Sequence, residues 1–292
     1  MFEGRKRWAG GRATRMLGVL GLTALAACQT EQTTQAGAVG VDRQQTMTSL
    51  VSSREVEQQA SQQYAQILVQ AQKKGLLNQD PDQVRRVRAI AARLVPQVDA
   101  FRADAVKWKW EVNVLTSKDI NAWCMPGGKI AVYTGLIERL KLTDAELAAV
   151  MGHEIAHALR EHARERMGRQ MATQTATVVG AIALEIFTGV RLDPQLAGTF
   201  SQAMFVLPNS RENEQEADLI GIELAARAGY DPRAAISLWQ KMGQAGGAGP
   251  PEWLSTHPSN DARLRDLQRD VAKVMPLYEA ARGKGSAGGS VK

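Results

Sequence analysis

Apolar residues first recur at helical spacing over residues 54–74. There Val56, Tyr64, Ile67, Leu68 and Ala71 share a face, and Gly75 supplies a stop. Asp80-Pro81 reads as an N-cap followed by a first-turn proline, and Val84, Val87, Ala91, Leu94, Val95 and Val98 continue the apolar face of the helix it starts. The period then changes. Lys107–Leu115 alternates, Lys129–Tyr133 (KIAVY) is short and β-branched, and Pro126-Gly127-Gly128 between them signals a turn. From residue 143 onward the pattern is almost wholly helical. Thr143-Asp144-Ala145-Glu146 is a capping box, with Leu142 and Leu147 placed as a hydrophobic staple, so a helix starting near residue 144 is well specified and is read through Arg166. These elements predict an α+β, helix-dominated fold with a small β-sheet beside the central helix.

Before residue 54 the periodicity fails. Residues 28–53 are rich in Gln, Thr, Ser and Gly and read as a flexible tether. Ahead of them lies a basic stretch, then a 12-residue apolar run, Met16–Ala27, too short to span a bilayer but suited to a secretory leader. Leu25-Ala26-Ala27-Cys28 resembles the bacterial lipobox, so Cys28 is expected to be acylated and to anchor the chain in a membrane. With Gln29 rather than Asp next, the resemblance implies the periplasmic face of the bacterial outer membrane. The expected divisions are leader 1–27, tether 28–53, a catalytic domain 54–275 and a tail 276–292.

Charge changes the picture little. The leader carries five basic residues against Glu3, a net +4 that leaves only +2 of the total +6 for the rest. A nearly neutral body gives no electrostatic case for nucleic acid. Cys124 is left without a disulfide partner and reads as a small buried hydrophobe.

The candidate chemistry lies in the central helix. His153-Glu154-Ile155-Ala156-His157 puts two imidazoles one turn apart on one face, where they can share a metal ion. Glu154, next to one of them, is placed to take a proton from water as general base. A third protein ligand is needed. The metzincin extension would require Gly at 160 and His at 163, which are Arg160 and Ala163. Downstream, Ser210 caps a helix that runs to Gly229, on which Glu214 and Asp218 share a face; one can bind metal while the other hydrogen-bonds a ligating imidazole.

His153-Glu154-Ile155-Ala156-His157, Ser210-Arg211…Glu214…Ala217-Asp218 and Asn121-Ala122…Pro126-Gly127-Gly128, in that fold context, resemble the HtpX/CaaX-prenyl-endopeptidase-like zinc metallopeptidases over roughly residues 55–275. The likeness is greatest to their soluble periplasmic lipoprotein branch. It implies a zincin-type domain with one Zn²⁺ per chain, Glu214 as third ligand, Asp218 supporting a ligating imidazole, and Glu216 as the competing ligand. It also implies peptide-bond hydrolysis of misfolded or stalled envelope proteins, in outer-membrane protein quality control. The chain is expected to carry neither the membrane helices of the membrane-embedded branch nor the C-terminal tetratricopeptide domain of the larger periplasmic relatives.

Four further features carry expectations. His257, in Thr256-His257-Pro258 after the loose stretch 243–251, resembles a histidine that closes the open zinc position in periplasmic relatives, so it is a candidate latch or fourth ligand. His162 lies off the metal-facing stripe and reads as structural. Residues 176–190 are strongly apolar and read as a buried helix, with a lid or membrane-touching segment as the alternative. Lys129, Ile130, Ala131, Val132 and Tyr133 form a strand that, if at a sheet edge, would dock substrate backbone. The rival function is a non-proteolytic chaperone or assembly factor whose metal is structural or latent; the intact Glu154 weighs against it.

Overall fold

The computed structural model describes residues 28–49, 52–170, 204, 207–245, 252–258 and 261–287. The leader and the apolar stretch 176–190 lie outside the described residues, as does most of the loose stretch 243–251.

Two strands open the described chain: β1 (Cys28–Glu31) and β2 (Gln45–Thr48), paired antiparallel. The expected tether is therefore overturned over residues 28–49. Val39, Val41 and Met47 are buried, and Arg43 reaches carboxylates far along the chain, so this segment packs on the body rather than hanging from it. Helix α1 (Ser53–Lys73) starts with a Ser52–Glu55 capping box and ends before Gly75, which takes φ +65. Helix α2 (Pro81–Leu94) is capped by the Asp80 side chain and buries Val84, Val87, Ile90, Ala91 and Leu94.

The sheet is small. Strands β3 (Glu111–Leu115), β4 (Ala122–Met125) and β5 (Lys129–Tyr133) lie in the order β3-β5-β4, with β5 parallel to β3 and antiparallel to β4. The alternation over Lys107–Leu115 overstates the first of these. Ala103–Lys107 is a 3-10 turn, and Trp108 N and Trp110 Nε1 both donate to the Ala105 carbonyl, which delays the strand to Glu111. β5 is correctly bounded but central. Its backbone is spent on two neighbours, so Lys129, Ile130, Ala131, Val132 and Tyr133 cannot serve as a docking edge.

Helix α3 (Thr134–Arg139) leads into α4 (Asp144–Leu159), whose capping box forms as read: Glu146 N meets Thr143 Oγ1 at 3.3 Å and Thr143 N meets Glu146 Oε2 at 2.8 Å. Every residue from Glu146 to Leu159 is buried, so this is a core helix on all sides. It does not run unbroken to Arg166. The chain turns at Arg160 and Glu161, the latter at φ +50, before residues 162–170 resume as helix. Ser53, Arg102 and Arg164 hold the Glu161 carboxylate at 2.7–2.9 Å and keep that turn in place.

Helix α5 (Arg211–Arg227), capped by Ser210, crosses α4 closely. A Cβ on Gly152 would lie 2.8 Å from the Gly221 carbonyl oxygen, so backbone meets backbone at that crossing. Helices α6 (Ala234–Gln244), α7 (Glu252–Thr256) and α8 (Asp261–Ala287) complete the shell. The expected tail over 276–292 is instead helical as far as Ala287, and Leu277 and Tyr278 pack against the core. The architecture is α+β and helix-dominated, with β4 lying beside α4. Among the described residues no helix is long and apolar enough to cross a membrane.

Candidate metal centre

One turn of α4 brings the Nε2 atoms of His153 and His157 to 3.0 Å from each other. The α4–α5 crossing then delivers Glu214. Its Oε2 lies 3.6 Å from His153 Nε2, and its Oε1 lies 3.4 Å from His157 Nε2. The His257 ring, from the residue after α7, is the fourth member: one ligand atom from each of the four residues lies within 4.8 Å of all the others. All four are buried.

The outer hydrogen bonds settle which ring nitrogen faces inward. Asp218 accepts from Arg263 on both oxygens, at 2.8 Å each, so it is a carboxylate and His153 Nδ1, 3.0 Å away, donates to it. Glu216 lies between the guanidiniums of Arg43 and Arg160 and accepts from His162 Nε2 at 3.0 Å. With Nε2 donating, neutral His162 presents a bare Nδ1, and His157 Nδ1 donates to it across 2.7 Å. Burial pulls His162 down to about 4, which keeps it neutral. His257 Nδ1 lies 3.1 Å from the Trp253 carbonyl, an acceptor only, so it donates there. The two helix imidazoles thus spend Nδ1–H outward and turn Nε2 toward Glu214, while His257 Nε2 lies 3.6 Å from Glu154 Oε1.

The electrostatics favour a cation at that convergence. Burial works against protonating His153, but the Asp218 and Glu214 carboxylates outweigh it and raise the group to about 9. Glu214 itself, despite burial, is held well below the usual carboxylate range by His257, His153, His157 and Arg263. Both Glu214 oxygens are closed to solvent and neither accepts a well-directed hydrogen bond, although Arg263 Nη1 lies 2.5 Å from Oε2. A metal–nitrogen bond of about 2.0–2.1 Å in tetrahedral geometry separates ligands by roughly 3.4 Å, close to the spacings found here. Convergent imidazoles and an under-satisfied carboxylate are a donor set that fits a divalent metal.

Glu154 points into the same cleft. Burial raises its carboxyl to about 7, against the opposing pull of His153 and of the Trp253 indole, whose Nε1 donates to Oε1 at 2.6 Å. A group titrating there suits proton transfer near neutrality. The cleft is lined by Ala122 and Cys124 of β4 together with Arg166, Asn209 and His257. Cys124 is buried and free.

The structure thus brings His153, Glu154, His157, Glu214, Asp218 and His257 together. Glu216 is turned away from the cluster and occupied by arginines, and Cys28 begins β1. His162, read as merely structural, returns to His157 because the chain reverses at Glu161. Arg43, Arg263 and Trp253 were not anticipated. Lone glycines inside helices at 152 and 221 were the legible signal of a close crossing; nothing in the local text marked Arg263.

Comparison with known proteins agrees with this geometry. The profile described as "Peptidase family M48" matches residues 81–271. The chain is 42% identical over 166 residues to the mitochondrial metalloendopeptidase OMA1 of Arabidopsis thaliana, covering 57% of this chain and 32% of that protein. It is 38% identical over 182 residues to the bovine (Bos taurus) protein of that name, covering 58% of this chain and 34% of that one. To the beta-barrel assembly-enhancing protease of Escherichia coli it is 31% identical over 207 residues, covering 68% of this chain and 41% of that protein. The match thus spans about a third to two fifths of the length of these relatives. With a catalytic-type cluster in place and most of the chain inside the matched region, the chain belongs to peptidase family M48.

Proposed function

We propose that the chain is a zinc-dependent endopeptidase in which His153, His157 and Glu214 hold one Zn²⁺ and Glu154 is the general base. The observation that carries this reading is the convergence of inward-facing Nε2 atoms and Glu214 within 4.8 Å, beside a buried carboxyl. Zinc bound there supplies Lewis acidity toward a scissile carbonyl and a water molecule. Glu154 takes the proton of the attacking water and passes it to the departing amine. Asp218 and Arg263 keep His153 and Glu214 in register.

The substrate backbone is read as lying along β4. That strand borders the cleft and is paired on one side only among the described residues, so it replaces β5 as the docking edge. Within family M48 we place the chain with the HtpX/CaaX-like peptidases of the periplasmic lipoprotein branch. The lipobox at Cys28 and the similarity to a beta-barrel assembly-enhancing protease support an anchored enzyme of the outer membrane's periplasmic face, acting on misfolded or stalled envelope proteins. The peptidase unit then takes in residues 28–49 and α8 as well as 54–275.

The test is metal content together with cleavage of an unfolded protein, wild type against Glu154→Gln. The variant should keep about one zinc per chain and lose roughly 10²-fold or more in rate. Full activity without Glu154 would sink the mechanism. One observation favours a second reading: His257 already stands in the fourth position of the cluster, as a closed structural site would have it. Absence of any metal-dependent cleavage by the wild type would support that chaperone-like reading.

A further inference from the structure

The N-terminal segment 28–49 lies outside the family match, yet its polar side chains converge beneath the metal cluster. Arg43 Nη1 and Nη2 grip the buried carboxylate of Glu165 at 3.0 and 3.2 Å. Its Nη2 also reaches Glu216 Oε2 and Asn213 Oδ1, at 3.1 and 3.0 Å, and its Nε donates to the other Glu216 oxygen. The second guanidinium on Glu216, that of Arg160, is itself held by this segment. Its Nη1 donates to Thr34 Oγ1 at 3.1 Å and its Nη2 to the Arg43 carbonyl at 2.8 Å, while Gln45 Nε2 donates to the Arg160 carbonyl.

Three hydrogen bonds separate Arg43 from the metal cluster. Glu216, accepting from two guanidiniums, takes the His162 Nε2–H; His162 then has only its Nδ1 lone pair for His157; His157 donates Nδ1–H and keeps Nε2 bare. Were Glu216 to swing off, His162 would be free to donate from Nδ1 instead. His157 would then accept on Nδ1 and carry its hydrogen on Nε2, the tautomer that cannot bind a metal. A segment needed only for packing would be served by Val39, Val41 and Met47. Its polar contacts go further: besides Glu165, Arg43 holds Glu216, the carboxylate that sets the His162 tautomer.

We propose that Arg43 is a positioning residue for the metal ligand His157, acting through Glu216 and His162, so that the segment 28–49 completes the metal centre. This rests on the metal-binding reading above. The experiment uses the full chain and compares wild type, Arg43→Met, Arg43→Lys and Val41→Ala. Val41 is buried in the hydrophobic core from the same segment and has a purely apolar side chain, so its truncation reports the effect of loosening the segment alone. Affinity for Zn²⁺ is read by competition with a chromophoric chelator, and the visible spectrum of the Co²⁺-loaded protein reports ligand geometry. Thermal unfolding of the metal-free forms is recorded in parallel.

Arg43→Met should weaken zinc binding about ten- to a hundredfold, the range for loss of an outer hydrogen bond to a ligand, and should alter the Co²⁺ spectrum. Arg43→Lys, which keeps the charge but not the fork, should fall between the two. Val41→Ala should lower thermal stability and leave affinity and spectrum as in wild type. If Arg43→Met does not fold because Glu165 loses its nearest cation, Arg43→Met/Glu165→Gln removes that charge and carries the same expectation. Wild-type affinity and spectrum in the Arg43 variants would overturn the proposal, and so would an equal loss in Val41→Ala. A wild-type chain that takes up no divalent metal would instead overturn the reading beneath it.

Discussion

Replacing Gly152 by Ala tests whether the backbone contact between α4 and α5 sets the metal geometry. The added Cβ would lie 2.8 Å from the Gly221 carbonyl oxygen and 3.3 Å from its Cα. Ordinary contact begins at about 3.5 Å, so the helices must part by roughly 0.7 Å. Both neighbours are backbone and cannot rotate away. The strain of such overpacking is typically ~1–3 kcal/mol, against a helix-propensity gain from Gly to Ala of up to ~1 kcal/mol. The net expectation is a loss of ~0–3 kcal/mol in the metal-free chain. Parting the helices also carries His153 from Asp218, now at 3.0 Å, and from Glu214, now at 3.6 Å. Zinc affinity should therefore fall about ten- to a hundredfold, as for other disturbances of ligand support. Urea unfolding of the metal-free protein and chelator competition measure the two effects separately. Gly221→Ala, whose Cβ would lie 2.8 Å from His153 N, should behave alike. A Gly152→Ala protein more stable than wild type with unchanged zinc affinity would refute the reasoning.

Three further outcomes are expected. Glu214→Gln should cost more zinc affinity than Glu216→Gln in chelator competition, because the first faces both His153 and His157 and the second acts only through His162; the reverse order would show the wrong carboxylate was chosen. His257→Ala should raise basal cleavage of an unfolded protein if the imidazole blocks the fourth position, and slower turnover at equal zinc content would assign it to catalysis instead. The metal-free chain should be most stable near pH 6.5 in urea titrations: His162 and His257, lowered to about 4 and about 3, contribute stability that is lost as pH falls from 6.5 through those values, whereas His153, raised to about 9, and Glu154, raised to about 7, contribute stability lost as pH rises through theirs. A steady rise in stability from pH 6.5 to 9 would contradict this.

The parts legible in the sequence were those encoded locally. The Thr143–Glu146 box, the Asp80-Pro81 start, the Ser210 cap and the His153–His157 spacing each depend on residues within a turn or two, and each forms. What escaped depended on partners far along the chain. A polar, glycine-containing stretch at 28–49 looks unstructured because its anchors, Arg43 with Glu165 and Glu216 and the Val39 amide with Glu223, are 122 to 184 residues away. The position of β5 in the sheet could not be read from KIAVY, since a central and an edge strand can share so short a β-branched run. The break after Leu159 was hidden for a different reason. Arg160 and Glu161 are good helix formers, and the distant Ser53 and Arg102, with the nearby Arg164, hold the carboxylate of Glu161, which takes a left-handed conformation.

Those distant partners also account for how so many carboxylates survive burial at one place. Glu165, Glu214, Glu216 and Asp218 are each at least nine-tenths buried, and desolvation opposes ionising every one of them. The nearest arginines offset that cost: Arg43 from the N-terminal segment, Arg160 from the end of α4, and Arg263 from α8, with Arg169 a more distant partner of Glu165 at 3.7 Å. Removing one partner of a buried pair typically costs ~3–5 kcal/mol, a large share of a domain's stability. The segments that carry these carboxylates therefore do not neutralise them unaided. Segments at both ends of the described chain supply the opposing charge, and the same bonds orient the imidazoles. In this protein the motif residues name the chemistry, but the geometry that makes it workable is enforced from residues 34–45 and from Arg263.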